Sequence, residues 1–196
     1  FNHLVQRDEN ENKVPELAEN FDQSNDLRQF KFTLRKGVQF HSGREMTSED
    51  VKYSVERPGL DQTTGSGHFF DFARWWMAPL GSIQTPDKYT VILKSNLPRI
   101  GVLDFLDRLN IVDPTIYKES VKDNTKAVGT GPFVMSDYVP GQHMNLVKNK
   151  SYWQSGRPYL DGINTTFFKD PQSMIVALEA GTLDFAMNPP PRDVVR

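Results

Sequence analysis

Short runs of alternating apolar and polar residues, cut apart by proline and glycine turn signals, constrain this chain more than any other feature. Phe30, Phe32 and Leu34 alternate with Lys31, Thr33 and Arg35, and Lys36-Gly37 follows. This is the period-two pattern of a strand buried on one face, closed by a turn. Ile83 to Thr85 and Tyr89 to Leu93 flank Pro86-Asp87-Lys88, which predicts a hairpin. Phe133 to Val139 and Met144 to Lys148 flank Pro140-Gly141-Gln142 and predict a second. Two more strands are expected over Ile163 to Phe168 and Leu183 to Met187.

Helical patterns are fewer. Thr47 is placed to cap a helix from about Ser48 to Arg57, with Asp50 at its third position, Val51 and Val55 on one face and Pro58 as its stop. A second helix opens at Asp170-Pro171, closes at Gly181 and buries Met174, Ile175 and Leu178. Shorter helical patterns cover Ile100 to Leu106 and Pro114 to Val121. There is no internal repeat and no low-complexity tract. Strands outnumber helices without a strict βαβ rhythm, so the fold class is α+β.

Composition then removes whole classes of function. At 196 residues the chain makes one large domain or two small ones, and 37% hydrophobic residues supply a core. A formal charge of −2, with acids and bases interspersed, gives no footprint for nucleic acid. No stretch approaches the roughly 18 apolar residues that cross a bilayer. The absence of cysteine excludes disulfides, thiolate metal sites and cysteine nucleophiles. Composition leaves the compartment open. The chain begins at Phe1 without an initiator Met, signal or lipidation segment, and stops at Val194-Val195-Arg196 after a proline run. It reads as a piece of a longer protein.

Nothing in the residues argues for catalysis. Gly129-Thr130-Gly131-Pro132 superficially resembles a phosphate loop, but it lacks a third glycine and Pro132 removes a donor, so a tight structural turn is expected. His3, His41, His68 and His143 are scattered and form no ligating pair, so no metal site is expected. No G-x-S-x-G elbow anchors a serine nucleophile. Glu49-Asp50 lies at a helix start, where capping and the dipole account for it. The aromatics are more suggestive. Phe69, Phe70, Phe72, Trp75 and Trp76 crowd a stretch that also holds His68 and Arg74. Such a cluster either packs as a satellite core under a long loop or lends rings to a ligand cleft.

Several blocks carry a family resemblance. Val14 to Phe21, then Phe30 to Arg35 and Lys36 to Gly43, resemble "P-x-L-A-E-x-W" running into "F-x-L-R-x-G-V-x-F-H-D-G". Met46 to Val51 with Ser54, Glu56 and Arg57 resembles "T-A-E-D-V … S-x-E-R". Gly129 to Phe133 resembles "G-T-G-P-Y/F", Asn149 to Trp153 resembles "N-x-x-Y-W", and Ala177 to Phe185 resembles "A-L-x-x-G-E-I-D-I/F". In this order, over nearly the whole chain, they are similar to the family 5 extracellular solute-binding proteins. Phe21 stands where that family usually has tryptophan, and Ser42 where it has aspartate. Both are framework positions, read as structural along with His41-Ser42-Gly43, the Gly129 turn and the Tyr152-Trp153 loop.

The resemblance implies a periplasmic-binding-protein-like fold of type II, cluster C, in which two lobes close over a solute. Residues 1–112 would form the smaller β-rich subdomain of the first lobe. Residues 113–196 would form part of the main first lobe, and the N-terminal strand region and second lobe would lie outside the chain. It also implies a non-catalytic, cofactor-free, substrate-binding component of a bacterial ABC importer. Its partners would be a peptide or similar small solute and a membrane permease. Its place would be periplasmic or extracellular, with a lipoprotein anchor as one form. A solute-sensing domain of a transcriptional regulator is the alternative. In relatives resembling this chain, the stretch before the Ile83 strand lends an aromatic to the cleft, a role falling here to Trp75 or Trp76, then to His68 and Phe69. The segment Leu109 to Val112 borders the pocket in such relatives, and Asn110 is its one polar side chain.

Overall fold

The computed structural model describes residues 1–60, 80–117, 128–187 and 189. Three antiparallel sheets organise them. Strands β1 (Val5–Arg7) and β2 (Lys13–Pro15) make a two-stranded ribbon. A four-stranded sheet follows the order β3 (Ala18–Gln23), β4 (Gln29–Leu34), β6 (Thr90–Ser95) and β5 (Leu80–Asp87). The third sheet is a meander of β7 (Phe133–Val139), β8 (His143–Lys148) and β9 (Gly162–Thr166). Three helices lie wholly within the described residues: α1 (Ser48–Leu60), α2 (Val102–Leu106) and α3 (Pro171–Glu179). The α+β class read from the sequence is the class observed.

The alternation along β4 does what period two requires. Phe30, Phe32 and Leu34 are buried while Gln29 and Lys31 are exposed. Each buried ring removes apolar surface worth roughly 1.5–3 kcal/mol from water. The two hairpins form as expected, with β7 and β8 joined through Pro140–Gln142. The first hairpin turns slightly later than its sequence suggests: β5 continues to Asp87 through a register shift, and Tyr89 lies in the turn.

Helix α1 opens with the return half of a capping box. The Asp50 carboxylate accepts from the Thr47 backbone N–H at 2.8 Å and from its hydroxyl at 3.0 Å. Pro58 does not stop the helix, which reaches Leu60. A proline removes a single backbone donor and weakens the last turn without forbidding it. Helix α3 opens as expected, with the Asp170 carboxylate accepting from the N–H groups of Gln172 and Ser173 and proline at its first position. The shorter helical pattern before Leu106 forms as α2, and the turn beginning at Pro114 is helical over 114–117.

Leu183 to Met187 corrects the sequence reading. It is not a strand, because no other segment among the described residues pairs with it. Strands β1, β2 and β3, conversely, carry no clear alternation and are apparent only in three dimensions. The main core lies between the four-stranded sheet, α1, α2 and the segment Leu109–Ile111, with Trp153 against its edge. Beyond Val112, Ile175 is the one buried hydrophobic residue among those described.

Candidate functional site

Asn110 sits on a segment pinned by two backbone N–H groups that follow it. Leu109 and Ile111 are fully buried, whereas Asn110 is half-buried. The Ile111 N–H donates to the Asn2 carbonyl at 3.2 Å, and the Val112 N–H donates to the Ser54 hydroxyl at 3.1 Å. Ser54, itself fully buried on α1, donates its own hydroxyl to the Asp50 carbonyl at 2.7 Å. The amide of Asn110 is thus held at the edge of the core by backbone bonds on its C-terminal side.

Asp113, three residues after Asn110, anchors this segment electrostatically. The Arg44 guanidinium lies between two buried carboxylates, donating to Asp50 at 2.8 and 3.0 Å and to Asp113 at 2.8 and 3.3 Å. Ser42 and Thr115 complete the shell, their hydroxyls donating to Asp113 at 2.7 and 2.6 Å. Burial alone would push the Asp113 carboxyl up. The hydrogen bonds from Arg44, Thr115 and Ser42 outweigh it and hold the carboxyl down at about 2. Ser42 therefore donates a hydrogen bond into this cluster and adds no negative charge to it.

A second polar seam joins the chain's first residues to the turn before β7 and the loop after β8. The Asn2 amide donates to Glu16 at 2.5 Å and to the Tyr152 hydroxyl at 3.4 Å. Its oxygen accepts from the Thr130 hydroxyl at 3.3 Å and the Trp153 indole at 3.4 Å. Arg35 stacks over Trp153 with its guanidinium carbon 5.0 Å from the ring centre. His41 grips the Gly129–Pro132 turn: its backbone N–H donates to the Gly129 carbonyl at 2.8 Å and its Nε2 lies 3.0 Å from the Gly131 carbonyl. Burial lowers the His41 pKa, and the Gly131 carbonyl opposes the shift without reversing it. The Asn149 amide also donates to Gly131. A Cβ on Gly131 would meet the Phe1 nitrogen at 2.8 Å. The turn's carbonyls are spent on the protein itself, which fits the structural role expected of it.

A cavity of about 480 Å³ lies beside β9. Its lining includes Thr166, Phe167 and Phe168, Met174 of α3, and Leu183, Phe185 and Met187. No group of three or more His, Asp or Glu side chains suited to a metal ion occurs among the described residues, and no helix among them is long and apolar enough to cross a membrane.

Of the site residues expected from sequence, Asn110 alone falls within the described residues; Trp75, Trp76, His68 and Phe69 lie outside them. Sequence reasoning passed over Asn2, Glu16, Arg44 and Asp113. The one local signal was an acid inside an apolar run, Pro15-Glu16-Leu17-Ala18.

Residues 12–196 match the family described as bacterial extracellular solute-binding proteins, family 5 Middle. A di/tripeptide-binding protein of Pseudomonas aeruginosa is 29% identical, over 99% of this chain and 40% of its own length. The solved structure of AgaA from A. tumefaciens, a binding protein in complex with agropinic acid, is 32% identical with a TM-score of 0.81, over 93% of this chain and 36% of that one. AppA of Bacillus subtilis in complex with a nonapeptide is 26% identical with a TM-score of 0.80, over 93% of this chain and 37% of that one. The chain spans about a third of the length of the first curated relatives it matches, at 34%. The match over residues 12–196, with solved members of the group superposing on nearly all of it, places the family beyond the motif blocks alone: the chain belongs to the bacterial extracellular solute-binding proteins of family 5.

Proposed function

We propose that this chain is part of the substrate-binding component of a bacterial ABC importer, which captures a peptide or similar small solute outside the cytoplasm and hands it to a membrane permease. The observation that carries the reading is the match of residues 12–196 to the family. The names of its relatives, a di/tripeptide-binding protein and a nonapeptide complex among them, favour a peptide. Residues 1–112 would act as the smaller subdomain and 113–196 as part of the main first lobe, with the two polar seams holding them in register. The component is periplasmic or extracellular in this reading and performs no chemistry on its cargo.

Ligand contacts in this part of the protein would come from Trp75 or Trp76, then His68 and Phe69, and from Asn110 at the edge of the core. A buried aromatic stripped to alanine costs about 2 kcal/mol or more of binding, and a rim polar group about 1. Calorimetry on the full-length protein with peptides of two to nine residues, and with agropinic acid, tests the reading. Micromolar or tighter peptide binding is expected, weakened well over tenfold by Trp75→Ala or Trp76→Ala and less by Asn110→Ala. Failure of every peptide to bind would refute the peptide assignment. Normal binding by both tryptophan variants would show the rings to be core.

A further inference from the structure

Asn110 is half-buried, and its side-chain amide makes no hydrogen bond among the described residues. A donor and an acceptor thus both stand unspent at the edge of the core. What fixes that amide in space is a closed circuit of bonds just beyond it. The Val112 N–H donates to the Ser54 hydroxyl at 3.1 Å, and Ser54 donates in turn to the Asp50 carbonyl at 2.7 Å. The Asp50 carboxylate accepts from Arg44, Arg44 also donates to Asp113, and Asp113 follows Val112 in the chain. Val112, Ser54, Asp50 and Asp113 are all buried, so a lost member of the circuit has no ready substitute from water. Helix α1 grips the same stretch again farther along, where Arg57 lies over the Tyr117 ring at 4.6 Å and Tyr53 meets it edge-on at 6.1 Å.

We propose that Ser54 is a positioning residue for the bound solute: its hydroxyl, carried on α1, sets the angle at which the Asn110 amide meets the ligand. This rests on Asn110 being a ligand contact of a solute-binding protein. The lever is short and therefore sensitive. Asn110 and Val112 are two residues apart, a span of about 7 Å in extended chain, so a tilt of about 10° at Val112 displaces Asn110 by about 1 Å. A hydrogen bond of about 2.9 Å stretched to about 3.9 Å is lost. Ser54 is the fastening that a side chain controls. Ile111 is held through the Asn2 backbone carbonyl, a bond open to any residue at that position, whereas Val112 depends on the serine hydroxyl. Helix α1 then runs on to Leu60, directly before the stretch that holds His68, Phe69, Trp75 and Trp76. The helix that steadies Asn110 thus leads into the other candidate contacts.

Calorimetry on the full-length protein, with whichever peptide of two to nine residues binds it tightest, compares Asn110→Ala, Ser54→Ala and the double variant. Asn110→Ala should weaken binding about fivefold and Ser54→Ala about fourfold. Because Ser54 acts through Asn110, the double variant should lose about fivefold and not the roughly twentyfold of independent losses. Ser54→Thr keeps the hydroxyl and should bind within about twofold of the parent. Losses that multiply overturn the proposal, since they make Ser54 a support of the fold at large. So does a weakened Asn110→Ala beside an unaffected Ser54→Ala, an outcome that leaves the importer reading intact. An Asn110→Ala protein that binds as the parent does, or a parent that binds no peptide, refutes the ligand-contact reading, and the proposal falls with it. A second measurement needs no variant to fold. Saturating peptide should slow hydrogen exchange at the Val112 amide about tenfold in the unmutated protein, since a contact that depends on that bond must strengthen it in return. An unchanged rate at Val112 overturns the proposal as well.

Discussion

Replacing Asp113 by alanine removes the acceptor at the centre of the Arg44 cluster, and two independent routes give its cost. The carboxylate is buried and accepts from Arg44, from the Ser42 hydroxyl and from both the N–H and hydroxyl of Thr115. Breaking a buried ion pair from one side typically costs about 3–5 kcal/mol. Here Arg44 is 35% exposed and keeps Asp50 as a partner, so solvent screening lowers the figure to about 2–3 kcal/mol. The second route is linkage. The Asp113 carboxyl falls from an ordinary 3.8 to about 2, which corresponds to roughly 2 kcal/mol. The sign follows from the depression. The contribution is complete above the unfolded value of 3.8 and disappears as the pH falls through the folded value of about 2. Urea unfolding at pH 7 should therefore place Asp113→Ala about 2–3 kcal/mol below the parent, with an unchanged m value. The gap should close between pH 4 and pH 2, in proportion to protonation of that carboxylate. Asp113→Asn, whose single amide oxygen can still accept from the N–H and hydroxyl of Thr115, should recover about half of the loss. A gap under about 0.5 kcal/mol at pH 7, or one that stays constant with pH, would refute the reasoning.

Other positions give sharper yes-or-no outcomes. Phe32→Ala empties a fully buried site at the centre of the core and should cost about 3–5 kcal/mol in the same urea assay. Gly43 holds φ at +85 with open space around a would-be Cβ; Gly43→Ala should cost about 1 kcal/mol through backbone strain alone, and a stabilising effect would contradict that. Asn2→Ala strips partners from the Trp153 indole, Thr130 and Glu16. It should cost about 1–3 kcal/mol, read by urea unfolding, and increase exposure of Trp153 to a fluorescence quencher.

Where the sequence was legible, a local pattern coincided with a buried face. β4 buries every second residue, so its alternation is visible without any neighbour. Asp170-Pro171 carries both the cap and the first helical residue of α3, and the side chain does its work within three positions. β3 fails this test: Ala18 is its one buried residue, so it has almost no face to advertise. The reading of Leu183–Met187 went wrong for the reverse reason. Its alternation is real, but a strand is a property of a pair, and no second member lies among the described residues. The polar seams were illegible on different grounds. Arg44 meets Asp113 across 69 positions and Asn2 meets Tyr152 across 150, and such separations leave no trace in any local window. Asn110 was approachable because its apolar neighbours Leu109 and Ile111 isolate it, although its role came from resemblance. The aromatic stretch holding Trp75 and Trp76 was read from composition and family together.

The strand order of the four-stranded sheet has a consequence for how the chain is made. β4 is interior to that sheet, yet its far neighbour β6 arrives late: Thr33 pairs with Thr90, and the chain between them includes all of α1 and β5. At about 5–20 residues per second, a ribosome needs roughly 3–12 seconds to supply the partner. A β3–β4 hairpin formed before β6 arrives would stand with an open ladder and with Phe30, Phe32 and Leu34, which are buried in the finished fold, bare on one side. Lys31 sits between the two phenylalanines, where a charge discourages a neighbouring nascent chain from completing the sheet first.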